Sequence, residues 1–309
     1  KIVALHKIPE DEARIAEERA RLPLAEEAWR ATSARRDELQ QAMGRAEQSR
    51  QVEQTKLEHA ARVLERLSAR DARLHEEQNG LEKRVERRLK REPISRIVGK
   101  RAFWKADFIV TPDTLVPRAD SETLIEAALA HIKTPPATLL DIGTGTGCLL
   151  LSLLHEWQTA KGVGIDISAG AVDVSRQNAK ALGLDSRAQF EVAGWVDYTP
   201  ESLFDVVISN PPYIAPEEAA DLMPEVALYD PPAALFAPEN GLAAYREITN
   251  RLPQLLKSGG WLFGEIGYQQ AESVKDILAK EGLTVLETRQ DLGGNPRVLV
   301  ARYDRLRSV

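Results

Sequence analysis

The chain has 309 residues, enough for one large domain and a smaller one, each with its own core. Charged residues make up 28% of the chain and hydrophobic residues 43%, and no apolar run reaches the roughly 18 to 20 residues that a membrane-spanning helix needs. The single cysteine, Cys148, cannot form an internal disulfide, and no secretion signal opens the sequence. We therefore expect a soluble, cytoplasmic protein.

The net charge of −6 is unevenly distributed. Residues 1–92 hold 21 Lys and Arg against 19 Asp and Glu, a balance of +2. Residues 93–309 hold 20 against 28, a balance of −8. The two parts of the chain therefore differ in kind, and an acidic second part is poorly suited to binding a phosphate backbone unaided.

Residues 1–92 form the first predicted region, which is rich in Glu, Arg, Ala, Gln and Leu and therefore helical. A heptad pattern places apolar side chains on one side of it, at Leu39, Met43, Ala46, Leu57, Ala60, Leu64, Leu67, Leu74, Leu81 and Val85. Polar residues interrupt this seam at Arg50, Glu53, Asp71 and Gln78. The pattern is typical of a helical hairpin or coiled coil that docks a partner, and equally of a solvated helical region packed on the main domain.

A dense basic run occupies residues 83–105. It could meet RNA phosphates, but a solvated helix face followed by a charged hairpin explains it more simply. Residues 95–98 and 103–110 have strand composition, with a turn at Gly99 and Lys100 between them. We therefore predict a β-hairpin linker over residues 93–119.

The third region, residues 120–309, alternates apolar strands with helical stretches. The predicted strands are 138–142, 163–167, 189–192, 204–209, 261–266, 284–287 and 298–301. The predicted helices lie near 148–157, 169–182, 242–256 and 270–281. This alternation predicts an α/β fold with a doubly wound, mostly parallel seven-stranded sheet, which binds its ligands at the carboxyl ends of the strands.

The first of these strands runs directly into a glycine-rich loop. The loop comprises Asp141, Ile142, Gly143, Thr144, Gly145, Thr146 and Gly147. Glycines let the backbone approach a ligand, and nucleotide-binding folds of several kinds use such a loop. A carboxylate just before the glycines repels a pyrophosphate and suits an ammonium group, which favours S-adenosylmethionine over NAD. The five histidines lack metal-ligand spacing, so we expect no metal site.

The second strand ends at Asp166, 23 residues after Gly143. A carboxylate at this position can accept hydrogen bonds from two ribose hydroxyls. It could instead cap the helix that begins near Ala169. Strand, glycines and acid occur in the order that a nucleotide site needs, and we predict ribose binding.

The fourth strand ends in Asn210, Pro211, Pro212 and Tyr213. Consecutive prolines stiffen the backbone and have no N–H to donate, so the carbonyls of Asn210 and Pro211 can face a ligand. Two such acceptors could hold the hydrogens of a planar amide or amine in line with a sulfonium methyl group. The segment therefore predicts methyl transfer to a nitrogen, with Asn210, Pro211 and Tyr213 as the catalytic candidates.

From Glu92 to Arg302 the chain closely resembles the glutamine-N5 methyltransferases, and among them those that modify peptide-chain release factors. The similarity rests on the glycine loop, the Asn210–Tyr213 segment and further blocks. These blocks are Phe103-Trp104, Thr111 to Arg118, Glu122, Gly241-Leu242, Tyr245-Arg246, Glu265-Ile266-Gly267 and Asp291-Leu292 with Arg297. The resemblance implies methylation of the glutamine in a Gly-Gly-Gln loop of the release factor.

By the same resemblance, the loop from Gly143 to Gly147, Asp166, Trp195 and Asn210 would contact S-adenosylmethionine, and the carboxylate before the glycines adds Asp141 to the predicted cofactor residues. The residues from Asn210 to Tyr213 would hold the substrate glutamine. Three other functions stay open: adenine-N6 methylation of nucleic acid, glutamine methylation of a ribosomal protein, and a non-catalytic binding protein that uses its helical arm. Two features depart from the family: Ala119 stands where a proline is usual, and the first 85 residues lack its compact helical bundle.

Overall fold

A computed structural model of the protein describes residues 8–304. The chain divides into two compact units, the first ending at Leu81 and the second beginning at Glu82. Among the described residues, none of the helices combines the length and apolar character that crossing a membrane requires.

The first unit is built from one continuous helix, α1 (Ile8–Leu89), whose last residues belong to the second unit. The helical hairpin suggested by the sequence is therefore wrong. Pro23, Gly44 and Gly80 all lie inside α1, which continues through them even though Asn79-Gly80 is a sequence typical of turns. From Glu10 to Leu89 every side chain is exposed except the half-buried Ser33, so this helix has no core of its own.

Among the described residues the second unit contains nine strands, eight further α-helices and three short 3-10 helices. The strands are β1 (Lys100–Phe103), β2 (Ala106–Ile109), β3 (Thr138–Ile142), β4 (Lys161–Asp166), β5 (Ala188–Val192), β6 (Phe204–Ser209), β7 (Leu256–Glu265), β8 (Leu283–Gln290) and β9 (Pro296–Tyr303). The helices are α2 (Ile94–Val98), α3 (Glu122–His131), α4 (Cys148–Glu156), α5 (Ala169–Ala181), α6 (Pro224–Ala227), α7 (Pro238–Gly241), α8 (Ala243–Leu255) and α9 (Ala271–Lys280).

Seven of the strands form one sheet in the order β5-β4-β3-β6-β7-β9-β8. The first five strands of this order, β5, β4, β3, β6 and β7, are parallel to one another. Strand β9 runs antiparallel to both β7 and β8. The predicted doubly wound, mostly parallel seven-stranded sheet is confirmed. Strands β3 and β6 begin and end where the sequence predicts, whereas β7 begins at Leu256 rather than at residue 261.

The hairpin before the sheet is shifted from its predicted position. Residues 95–98, predicted as a strand, lie in α2, which follows Pro93 and ends at Gly99 in the left-handed conformation (φ 76°). The hairpin strands are β1 and β2, and the turn between them falls at Trp104 and Lys105. Proline before a helix and glycine after it are ordinary helix boundaries, so these two residues delimit a short helix rather than a strand and a turn.

Hydrophobic residues fill both faces of the sheet. On one face Leu139 and Ile208 pack with residues of α3, α4 and α5, and on the other Leu140 and Val207 pack with residues of α8 and α9. Neighbouring residues of a strand point to opposite faces, and this explains why the strands have continuous apolar sequences. The carboxyl ends of β3, β4 and β6 consequently meet at one edge, between the two layers of helices.

Candidate active site

The glycine loop joins the end of β3 to α4. Gly143 (φ 72°) and Gly145 (φ 54°) adopt the left-handed conformation, which glycine tolerates best. The N–H groups of Gly143 and Thr144 both donate to the carbonyl of Ile165 at 2.9 Å, so the loop lies directly against β4. A side chain at Gly143 or Gly145 would meet nothing within 4 Å, and the glycines are therefore required by backbone conformation rather than by lack of space.

The carboxylate of Asp166, at the end of β4, holds this loop. Its Oδ2 accepts from the Gly145 N–H and its Oδ1 from the Ser168 N–H, both at 2.9 Å. The alternative role predicted for it, capping α5, belongs to Ser168, whose Oγ accepts from the Ala171 N–H. Asp166 is half-buried beside the cleft at the sheet edge, so each oxygen keeps a lone pair that a ligand hydroxyl can use.

Asp141 lies beneath the loop and does not line the cleft. Its Oδ2 accepts from the Thr144 hydroxyl at 2.7 Å, whereas its buried Oδ1 has no hydrogen-bond partner. Burial raises the pKa of this carboxyl to about 7, although the Thr144 hydrogen bond lowers it, and the nearby charge of Asp166 raises it further. A buried carboxyl oxygen without a partner is costly, and a cationic ligand group would offset that cost.

The cleft at this edge brings together most of the predicted cofactor residues. It is lined by Asp113, Thr114, Leu115, Gly143, Gly145, Asp166, Ile167, Ser168, Trp195, Asn210, Pro212, Pro231, Ala233 and Ala234. Thr146 and Gly147 are buried behind the loop, and the Thr146 carbonyl accepts from Asn178 Nδ2 at 2.9 Å. These two residues shape the loop rather than the cleft surface.

Trp195 is fixed at the side of this cleft. Its indole Nε1 donates to Glu247 Oε2 at 2.9 Å, and its carbonyl accepts from Arg251 Nε at 3.3 Å. The ring is half-buried, with Ile167 and Ser168 among the other residues that line the same cleft. A flat aromatic surface held in this way suits a planar ligand group.

The Asn210–Tyr213 segment follows β6. Asn210 Nδ2 donates to Ser121 Oγ at 3.3 Å, and no described residue donates to Asn210 Oδ1. The Tyr213 carbonyl accepts from Gln270 Nε2 at 2.9 Å. A Cβ at Gly241 would lie 2.0 Å from that carbonyl oxygen, so only glycine allows this close approach. Ser121 and Gln270 therefore hold the two ends of the segment, and Asn210 Oδ1 is left available as an acceptor.

Glu265 lies beside this segment, and the sequence analysis gave it no role beyond its place in the family pattern. It ends β7, one residue beyond the paired positions Ser209 and Gly264, and is 1% exposed. Burial raises the pKa of its carboxyl to about 7, although the nearby Ser121 hydroxyl and the charge of Arg297 lower it. Its Oε2 is buried without a hydrogen-bond partner. The burial of Glu265 depends on its position in the sheet beside β6, so composition alone could not predict it.

Asp230 is the second buried acid that the sequence analysis missed. Its Oδ1 accepts a hydrogen bond from Arg96 Nη2 at 2.9 Å, and its Oδ2 accepts one from Arg118. The Arg96 guanidinium also donates to the carbonyl of Thr114, so the ion pair fixes the loop on one wall of the cleft. One signal was present: Asp230 precedes Pro231 and Pro232 just as Asn210 precedes two prolines.

Five of the ten basic residues in the run at 83–105 form ion pairs with acids inside the second unit. Arg88 and Arg91 contact Glu225, at 3.1 and 3.5 Å. Further ion pairs join Arg87 to Glu92, Arg96 to Asp230 and Lys105 to Glu156. The cations of Arg87, Arg88, Arg91 and Lys105 are 43–64% exposed, so their ion pairs do not decide between a solvated surface and an RNA site.

Cys148, the first residue of α4, is suited to packing rather than to nucleophilic chemistry. Burial raises the pKa of its thiol to about 12, and the thiolate is the reactive form. In the described part of the chain, no three His, Cys, Asp or Glu side chains are grouped as metal ligands.

Comparison with known proteins gives this geometry a family. Residues 133–282 match a family model described as a methyltransferase domain. The release factor glutamine methyltransferase of Rhodospirillum rubrum is 46% identical over 227 residues, covering 74% of this chain and 70% of that protein. The enzymes of the same name from Cereibacter sphaeroides and Caulobacter vibrioides are 45% and 39% identical, covering 70% and 72% of this chain and 76% and 78% of their own lengths. On this evidence the chain belongs to the release factor glutamine methyltransferases, whose methyl donor is S-adenosylmethionine.

Proposed function

We propose that this protein transfers a methyl group from S-adenosylmethionine to the side-chain amide nitrogen of a glutamine in a peptide-chain release factor, the glutamine of its Gly-Gly-Gln loop. The observation that carries the proposal is the Asn210 amide. Its Nδ2 donates a hydrogen bond to Ser121 Oγ, while its side-chain oxygen Oδ1 accepts no hydrogen bond from the described residues. The NH₂ group of an amide substrate has two N–H donors, one of which could bind this free acceptor.

The residues of the cleft fit the methyl donor. When bound, S-adenosylmethionine supplies an electrophilic sulfonium methyl group. Asp166 would accept from its ribose hydroxyls, the backbone of Gly143 and Gly145 would lie against it, and Trp195 would flank its adenine. Asp141 supports the fit independently, since its buried Oδ1 without a partner suits the positive field of an ammonium group. Thr144, Thr146 and Gly147 would act by holding the loop in shape.

The chain's own residues would then position the substrate nitrogen. An amide nitrogen is a poor nucleophile because its lone pair is delocalised into the carbonyl. Acceptance of its two hydrogens by Asn210 Oδ1 and the Pro211 carbonyl would fix the nitrogen toward the methyl group. The same acceptors would stabilise the positive charge that develops on the nitrogen as the new N–C bond forms and the S–C bond of the donor breaks, and one N–H proton would then leave to water.

Pro212 and Tyr213 would complete the substrate site. Pro212 lines the cleft, and the half-buried Tyr213 has its backbone carbonyl held by a hydrogen bond from Gln270. Burial raises the pKa of the Tyr213 phenol, so this group stays neutral and cannot repel the substrate as an anion. The tyrosine would therefore serve as a wall against the planar amide.

The test is a methyl-transfer assay with labelled S-adenosylmethionine and three separate acceptors: an intact release factor, the same factor with its loop glutamine replaced by alanine, and nucleic acid. We expect label on the intact factor alone. Label on nucleic acid alone would establish the adenine-N6 function instead. Cofactor binding without labelling of any acceptor would favour a non-catalytic binding protein, and label on a ribosomal protein but not on the release factor would move the substrate within the family.

A further inference from the structure

The helix α1 carries an apolar seam, defined here as the positions from Leu22 to Leu81 that recur at alternating steps of three and four residues. Its large apolar side chains are between 51% and 72% exposed, and they are Leu22, Trp29, Leu39, Met43, Leu57, Leu64, Leu67, Leu74 and Leu81. All of them belong to the first unit. A repeat of this spacing is typical of a helix that packs against a second helix, and an uncovered apolar stripe of this length marks an interaction surface.

Charged residues inside the apolar seam limit how a second helix can pack on it. They are the basic Arg36 and Arg50 and the acidic Glu53 and Asp71. Glu53 forms an ion pair with Lys56 outside the seam at 2.9 Å, whereas Arg50 forms no ion pair with a described residue. A charge that becomes buried in a helix interface is costly unless an opposite charge faces it. The four charges therefore select the partner and its direction.

A second copy of the chain packed in parallel does not meet this requirement. In a parallel pair in register each seam residue faces its own equivalent in the other copy. Arg36, Arg50, Glu53 and Asp71 would then form four layers of like charge. Like charges placed opposite each other in an interface cost several kcal/mol, so the parallel arrangement is disfavoured.

An antiparallel second copy brings opposite charges together instead. When one helix is reversed, the seam steps of three and four residues still match if Arg50 of each copy faces Glu53 of the other. Two layers of opposite charge then form at the two-fold axis. A shift of one heptad in either direction separates these two residues and leaves each charge opposite an apolar side chain. The central charges therefore fix both direction and register.

The same register suits the rest of the apolar seam. It places Leu22 opposite Leu81, Trp29 opposite Leu74, Leu39 opposite Leu64, Met43 opposite Ala60, and Leu57 opposite Ala46. Arg36 faces Leu67 and Asp71 faces Thr32, so neither meets a like charge. Beside the seam Arg35 comes near Arg70, but charges at such solvent-exposed positions weigh less than those within the seam.

We propose that a second copy of this chain docks on the apolar seam of α1, forming an antiparallel coiled coil with Arg50 and Glu53 at its centre. The apolar layers supply the affinity, and the central charges set the direction and the register. Two copies related in this way use the same surface, so the assembly closes as a dimer. Two catalytic units are then joined in one particle.

The experiment measures molecular mass by light scattering and the dimer Kd by analytical ultracentrifugation, with the full chain. The parent should be a dimer. Arg50→Glu puts two carboxylates in each central layer, and we expect Kd to rise by about 10²-fold or more. The double variant Arg50→Glu/Glu53→Arg restores opposite charges and should return Kd to within about tenfold of the parent.

The matched control is Arg45→Glu, which makes the same change at an exposed position outside the apolar seam. Its Kd should follow the parent, and circular dichroism should show equal helix content in all four proteins. A parent that is monomeric at every concentration would overturn the proposal, and the seam would then pack on the second unit or on another protein. A dimer as tight in Arg50→Glu as in the parent would also overturn it, because another surface would hold the copies together.

Oxidative cross-linking tests the direction independently of the charge variants. Leu39→Cys/Leu64→Cys should form a disulfide-linked dimer, because these positions face each other in the antiparallel register, whereas neither single variant should. The parent, with its natural Cys148 in the second unit, is the blank. Linkage in either single variant would show a parallel pair, and an unlinked double variant would exclude the register; both results overturn the proposal. Mass and linkage do not depend on methyl transfer, so a failure of the proposed function would be seen separately.

Discussion

The first and second units contain the same types of charged residue, but these residues lie in different environments. In the first unit the ion pair of Glu17 with Arg21 is local and exposed: the two residues are four apart, with side chains 63% and 75% exposed. In the second unit Arg96 and Asp230 are 134 residues apart, with side chains 3% and 1% exposed. Exposed pairs of this kind contribute little to stability, whereas removing one partner of a buried pair leaves an uncompensated charge.

The difference shows how little composition alone reveals about a charged residue. Arg88 and Arg96 both belong to the basic run, yet the first is on a helix surface and the second supports the wall of the cleft. The first three predictions below test polar groups of the second unit, and the last tests an exposed ion pair of the first unit for comparison.

The largest effect is expected for Asp230→Ala. The substitution leaves Arg96 buried without its carboxylate and also removes the partner of Arg118. We expect the free energy of unfolding of the second unit to fall by about 3 to 5 kcal/mol, measured by chemical denaturation. Asp173→Ala, at an exposed pair with Arg176, is the control and should change it by less than about 1 kcal/mol. Equal losses would remove the distinction between buried and exposed pairs.

The second effect concerns catalysis. Asn210→Ala removes the proposed acceptor of the substrate hydrogens, and we expect kcat to fall by about 10²-fold or more, with a smaller loss of cofactor affinity. Asn210→Asp keeps an acceptor and should retain more glutamine methylation than the alanine variant, without gaining activity on nucleic acid. Single-turnover rates check both, and an alanine variant as fast as the parent would refute the role proposed for Asn210.

A smaller loss is expected for Asp166→Ala. Its carboxylate holds the Gly145 N–H and is proposed to accept from the ribose hydroxyls of the cofactor. Loss of these charge-assisted hydrogen bonds should weaken cofactor binding by about 1 to 3 kcal/mol. Titration calorimetry with S-adenosylmethionine measures it, and unchanged affinity would exclude Asp166 from the cofactor site.

The smallest effect is expected in α1. Arg21→Gln removes the exposed pair with Glu17 and should change helix stability by no more than about 0.5 kcal/mol, followed by thermal unfolding monitored by circular dichroism. The pair should weaken further at high salt, since exposed charges are screened. A loss comparable with that of Asp230→Ala would contradict the view that an exposed local pair of α1 contributes little to its stability.

The sequence was sufficient where local signals and burial agree. Strands β3 and β6 are short apolar runs that end in a glycine loop or in Asn210 and two prolines, so both their extent and the position of the cleft could be predicted. Local signals misled where they were ambiguous: Pro93 and Gly99 bound a short helix, and the charged pattern of α1 is compatible with either a hairpin or a single helix.

The surroundings of Glu265 and Asp230 could not be predicted, because the sequence does not show which distant residues lie next to them. Each depends on partners brought close by the order of the strands and by loops far away in sequence. Glu265 is influenced by Ser121 and by the charge of Arg297, and Asp230 forms ion pairs with Arg96 and Arg118. Only the Asp-Pro-Pro sequence hinted at the second, and nothing in the composition distinguishes Glu265 from the exposed glutamates.

The strand order has a consequence for how the protein is made. Strand β9 inserts between β7 and β8, although it is the last strand along the described chain. The helix α1, with its local hydrogen bonds, can form while the chain is still being synthesised. The sheet cannot close until Tyr303 has left the ribosome, because β8 pairs with β9 alone among the described strands. Nascent chains should therefore acquire methyl-donor binding late and abruptly, and a premature stop within the last strand should leave a helical but inactive product.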